Sequence, residues 1–327
     1  MKLWALITDT FREIYAKKVI IGIIGIEILT LAITAAFLAA RPKMMIEPDA
    51  GPPAARDSVR ITSPAPPPLE DTALLGTDSP LDSVANRPRT SSRTFDVPPD
   101  QSTDFQRGMQ RSLAEAVRGQ LGMFTMVIGA AMIFLGIFVT AGIVPSIMEK
   151  GSIDLLLSKP ISRTTILLGR ALGGVIAIAL NLFLFVLAMW ALYGIFTGVW
   201  VGSFLVGATL IPLFTFVVIY SAVILLNVVT ESWVLPISLV YLHVIILATF
   251  LRGREETLFR LIGSDAIKRF IDGLYYALPQ TADLIATATP QYVMTSSVDN
   301  LVPFIQGTIF TGVMLSLAIW KFQKKDF

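Results

Sequence analysis

Six runs of about 20 mostly apolar residues, spread along 327 positions, constrain this chain more than anything else in it. Each run is long enough to cross a hydrocarbon layer as a helix. They fall near 19–40, 121–144, 171–196, 201–226, 233–251 and 301–320. Charged residues make up 15% of the chain and hydrophobic ones 54%, whereas a soluble domain carries about 25% charged residues. The charges collect between the runs rather than within them. This pattern predicts an all-α integral membrane protein with six transmembrane helices.

Composition also removes several kinds of chemistry. There is no cysteine, which excludes disulfides, thiolate metal sites and a cysteine nucleophile. The single histidine, His243, leaves no material for a His-x-x-x-His metal site. None of the ten lysines is followed by Ser or Thr, so the chain lacks the Gly-Lys-Ser/Thr of a phosphate-binding loop. Neither a catalytic group nor a cofactor or metal site is expected in this chain. Any ATP and Mg would be bound elsewhere. The net charge of +2 gives no pointer to nucleic acid.

The connections differ in character. In residues 1–18, Leu3, Trp4, Ile7, Phe11, Ile14 and Tyr15 recur at helical spacing, with Lys2, Asp9, Arg12, Glu13 and Lys17 on the other face. This predicts an amphipathic helix in the membrane interface, the alternative being a helix packed on other protein. The run after it is longer than the apolar region of a secretory signal, so 19–40 reads as a retained first span. Residues 41–120 hold twelve of the nineteen prolines, all between Pro42 and Pro99, among many Ser, Asp and Arg. That composition predicts an extended loop, ending in an amphipathic helix marked by Phe105, Met109, Leu113 and Val117. In 252–300, Leu258, Leu261, Ile267, Phe270, Ile271 and Leu274 alternate with charges until Pro279 and Pro290. Short amphipathic helices on the membrane face are expected there.

Six spans put both ends of the chain on one side of the membrane. The short 145–170 segment and the 321–327 tail carry Lys150, Lys159, Arg163, Arg170, Lys321, Lys324 and Lys325. Long loops translocate largely regardless of charge, so these short segments set the orientation. Both termini are expected in the cytoplasm of a cell (inner) membrane protein.

Residues 145–170 are unusually aliphatic for a surface connection, with Ile153, Leu155, Leu156, Leu157, Ile161 and Ile166. Gly151 and Pro160 bracket a central helical turn, Asp154 suits its first turn, and Ser162 is a candidate N-cap for the next helix. The run Glu149-Lys150-Gly151-Ser152-Ile153-Asp154-Leu155-Leu156-Leu157-Ser158-Lys159-Pro160-Ile161-Ser162-Arg163, followed by Gly169-Arg170, resembles the signature loop of ABC-2-type transporter permeases. Within that family the chain is similar to the subgroup with a large external loop between spans one and two. The resemblance implies a permease subunit, an exporter by expectation, that dimerises with itself or a related permease and binds a separate ABC ATPase. On that basis 145–170 would be a coupling helix, with Glu149, Gly151, Asp154, Leu155, Leu156, Pro160 and Arg163 at the docking surface. Residues 1–18 would be the elbow helix.

Three polar residues lie inside spans. Glu27 is costly in hydrocarbon unless it faces protein or water. Asn181 is a natural interhelical donor, and His243 titrates near neutral pH when unperturbed. Together they form a candidate intramembrane polar site, each with helix packing as its blander reading. Two other functions fit a six-span chain. An ion-driven secondary transporter would need paired intramembrane carboxylates or an internal repeat, whereas a scaffold that only anchors an ATPase would carry the same coupling loop. From the loop composition, deleting residues 50–95 should leave folding and self-association unchanged. Loss of the dimer on gel filtration would contradict this.

Overall fold

The computed structural model describes residues 2–16, 19–40, 99–148 and 162–325. All regular structure among them is helical. Two units are distinguished, Met1–Arg41 with Arg111–Phe327, and Pro42–Gln110. Of the second, only Pro99–Gln110 is described, an exposed helical stretch with an Arg107–Asp104 pair at 3.4 Å. Such an exposed pair adds little stability.

In the first unit, α1 (Lys2–Ala16) precedes α2 (Val19–Ala40). Next come α3 (Pro99–Thr140), which begins in the other unit, and the short α4 (Ile143–Met148). The helices α5 (Arg163–Thr197) and α6 (Gly202–Thr230) form an antiparallel pair joined by a left-handed Gly198 with φ 71°. The fifth span, Val234–Arg252, is α7 (Val234–Tyr241), a π-helical turn at Leu242–Leu247, and α8 (Ala248–Arg252). Short elements follow: a π turn (Arg254–Leu258), α9 (Phe259–Leu261), α10 (Asp265–Ala277), α11 (Thr281–Asp283), a second π turn (Leu284–Ala288) and α12 (Thr289–Thr295). Last is α13 (Val302–Gln323). Six helices are long and apolar enough to cross a membrane.

One helix starts ahead of its apolar run and another is interrupted, each for a local reason. Ser162 accepts a hydrogen bond from the Thr165 N–H at 3.2 Å, so α5 begins at Arg163, well ahead of the apolar run at 171. At the other end of the preceding span, the helix breaks at Ala141–Gly142. The buried Ala141 carbonyl accepts a hydrogen bond from Asn227 Nδ2 at 2.8 Å. A buried carbonyl left alone would cost about 1–3 kcal/mol.

The spans pack around α6, which has the largest buried share. Phe216, Ile219, Tyr220, Val223 and Ile224 of α6 meet Ile133 and Ile137 of α3, Leu167 and Ile178 of α5, and Ala318 and Phe322 of α13. By contrast α2 is largely exposed, with Ile21, Ile28 and Phe37 all uncovered. Close approach rests on small residues where helices cross. A Cβ at Gly207 of α6 would sit 2.7 Å from the ring of Tyr292, and one at Gly173 of α5 would sit 2.8 Å from Thr10 of α1. No such obstacle surrounds Gly202. Gly207→Leu should therefore destabilise the bundle by about 1–3 kcal/mol and lower its thermal midpoint in detergent. Gly202→Leu, the control, should change it far less.

Candidate functional site

The helix α1 docks on the first half of α5, and its contact is both apolar and ionic. Leu6, Ile7, Thr10 and Ile14 are buried, whereas Trp4 is 73% exposed. The inward face is thus rotated from the stripe read in the sequence, because Thr10 fills the space left by Gly173. Arg170, almost fully buried on α5, reaches back to α1 with both terminal nitrogens. Its Nη2 donates to Asp9 Oδ2 at 2.7 Å and its Nη1 to Glu13 Oε2 at 2.5 Å. A helix turn separates Asp9 from Glu13, so both carboxylates point the same way. The other oxygen of Glu13 accepts a hydrogen bond from Ser146 Oγ of α4 at 2.9 Å. One carboxylate therefore links α1, α4 and α5.

A second knot lies at the same end of the bundle. Arg163 Nη1 donates to the Lys325 carbonyl at 2.6 Å and to the Gln323 carbonyl at 3.3 Å. Gln323 Nε2 donates to Thr164 Oγ1 at 2.8 Å. The Lys325 ammonium in turn reaches Glu231 Oε1 at 2.7 Å, the Val228 carbonyl at 3.1 Å and Met148 Sδ at 3.7 Å. Glu231 holds a left-handed conformation with φ 56° just past α6. The hydrogen bond from Lys325 keeps its carboxyl below the usual carboxylate range. Met148 and Arg163, the residues flanking the 149–162 stretch, both contact Lys325. These two flanking residues therefore meet at one place in the bundle.

Of the seven residues expected at a docking surface, Arg163 is described and takes part in this knot. Glu149, Gly151, Asp154, Leu155, Leu156 and Pro160 lie outside the described residues. The structure brings two of the three intramembrane polar residues together. Asn181 Nδ2 donates to Glu27 Oε2 at 3.3 Å, beside a cavity of about 10 Å³ lined by Ile23, Met132, Gly136, Ile178 and Asn181. Such a space holds about one water. His243 is no part of that pair. It sits on the π-helical turn of the fifth span, with its ring towards the Pro279 carbonyl.

Sequence reasoning missed Asp9, Glu13, Ser146, Glu231 and Lys325 as functional candidates. The spacing of Asp9 and Glu13 was the available signal, but nothing local names a partner 157 residues away. No group of three or more His, Cys, Asp or Glu among the described residues is arranged to hold a metal ion.

The profile of the ABC-2 family transporter proteins matches residues 91–327. The chain belongs to the ABC-2 family. It is a multi-pass membrane permease subunit of an ABC transporter, and membership implies association with an ABC ATPase. No match was found among curated proteins. The matched region of this ABC-2 permease contains the 149–162 stretch and both residues that flank it, Met148 and Arg163.

Removing the buried guanidinium would leave Asp9 and Glu13 facing each other without a counter-charge. Arg170→Met should therefore cost about 2–3 kcal/mol, the partial exposure of Asp9 reducing the full penalty of a broken buried pair. Adding Glu13→Gln should recover part of that loss. Thermal unfolding in detergent of the single and double variants checks both the sign and the rescue.

Proposed function

We propose that this chain is the membrane half of an ATP-driven exporter, working as a homodimer or paired with a related permease. In this reading, residues 145–170 form the coupling helix and rest in a groove of the ATPase, which binds ATP and Mg. Leu155 and Leu156 supply the apolar contact, while Glu149, Asp154 and Arg163 fix its orientation. Gly151 and Pro160 bound the turn, and α1 is the elbow helix beside it. The chain sits in the cell (inner) membrane with both termini in the cytoplasm, which places the α1 end of the bundle on the ATPase side.

The observation that carries the reading is the common anchorage of Met148 and Arg163 on Lys325. A segment that delivers force from a partner needs a base that does not slide, and here both of its flanking residues are tied to a point that also contacts the end of α6. The Glu27–Asn181 pair is given a structural role in this reading, since it joins α2 to α5 and borders a cavity of about 10 Å³, too small for cargo.

The test is a pull-down of the tagged chain from native membranes in mild detergent, with ATP hydrolysis assayed on the eluate. The wild type should bring down a soluble ATPase. Leu155→Asp puts a charge into the apolar contact and should lose that partner while still inserting in the membrane. Normal co-purification of the Leu155→Asp variant would remove residues 145–170 as the docking element.

A further inference from the structure

At the end of the bundle remote from α1, the helix α10 is mounted the wrong way round for a protein surface in water. Its polar side faces the protein. Asp272 accepts a hydrogen bond from Arg254 Nε at 2.7 Å, and the Arg254 guanidinium lies 3.7 Å from the centre of the Tyr275 ring. Arg254 is buried, and although burial alone would lower its pKa, Asp272, Tyr275 and Glu255 together offset this and the net shift is upward. Tyr275 donates through its hydroxyl to Asp283 Oδ2 at 2.8 Å, and burial pushes its pKa up to about 12. Gln306 of α13 donates to the Tyr276 and Leu278 carbonyls, both at 2.6 Å, at the end of α10. The helix is thus held by the ends of two spans.

Its apolar side is largely open. Ile267, Phe270 and Leu274 share one face by helical spacing, yet Phe270 is 71% exposed, Ile267 is exposed, Leu274 is only half-buried, and α10 has no buried residue at all. Leu261, just before it, is also exposed. A soluble protein would turn this face inward.

We infer that the apolar face of α10 is seated in the headgroup–acyl boundary of the bilayer, with phospholipid as its partner. Two observations select lipid. The first is level. The fifth span has 19 residues from Val234 to Arg252, a length of about 28 Å that matches one hydrocarbon thickness. Arg252 closes it with ion pairing to Asp283 at 3.1 Å, and Arg254 follows at once. The Arg254–Asp272 bond therefore fixes α10 at the height where hydrocarbon gives way to headgroups. The second is continuity. The two spans that hold α10, through Arg254 and Gln306, themselves expose Ile246 and Phe250 of the fifth span and Val302 and Ile305 of α13, which face lipid for the same reason of composition. Tyr276, exposed on the same helix, suits that zone, as does the cationic Arg269 beside the phosphates.

The absence of native cysteine makes the test direct. Single-cysteine variants Phe270→Cys, Ile267→Cys and, as control, Asp265→Cys of the full chain are labelled with a small fluorophore. They are reconstituted in vesicles of phosphatidylethanolamine and phosphatidylglycerol. Labels at 270 and 267 should be quenched about threefold more by a lipid-borne nitroxide near the headgroup than the label at 265, and less by iodide. Iodide quenching at 270 equal to that at 265 would overturn the inference. So would disulfide-linked dimers through Phe270→Cys in most of the reconstituted protein, which would assign the face to a second copy. Neither outcome depends on how the ATPase docks.

Discussion

Hydrocarbon offers a backbone amide no partner, so every interruption of a spanning helix must be answered from within the protein. That requirement explains several of the polar side chains that join helices in this permease. Where α3 stops at Ala141, Asn227 supplies the donor. Where α10 gives way to α11, Gln306 serves the Tyr276 and Leu278 carbonyls. At the end of α6 the Lys325 ammonium takes the Val228 carbonyl. Ser203 Oγ of α6 donates to the Val293 carbonyl at 2.7 Å, close to the end of α12. In each case the donor and the acceptor come from different segments of the chain. Satisfying the backbone and joining the helices are therefore one interaction.

The six-span helical fold was legible in the sequence because long apolar runs have few other uses. The break at Pro279 was legible too, since proline ends a helical pattern for a steric reason. Glu27 and Asn181 could each be recognised as needing a neighbour, but their pairing with one another could not. A carboxylate on α2 and an amide on α5 are 154 residues apart, and only packing decides which faces meet. The π-helical turns at Leu242–Leu247 and Leu284–Ala288 left no pattern in the apolar spacing. The apolar stripe read for α1 includes Trp4, which is exposed, and passes over Thr10, which is what fits against Gly173.

The candidate site shows the same division. The residue types of the 149–163 stretch can be read one by one, since glycine, proline and capping serine act locally. The knots that brace its flanks cannot. They depend on Arg170 with Asp9 and Glu13, and on Arg163 with Lys325, pairs separated by 157 to 162 residues.

That separation also distinguishes the two ends of the molecule. The polar network around α10 joins residues close in sequence, with Arg254 and Asp272 18 apart and Gln306 and Leu278 28 apart. It can form as soon as the fifth and sixth spans are made. The network around Arg170 and Lys325 joins α1, α4, α5, α6 and the stretch after α13, so it closes only when all of them are in place. An end built this way resists being moved piecemeal. A displacement imposed at Met148 or Arg163 is shared with the end of α6 through Lys325 and Glu231, and one at Ser146 is shared with α1 and α5 through Glu13. Local bonding at the far end imposes no such sharing. The α1 end is therefore cross-braced through the whole chain, and the far end only locally.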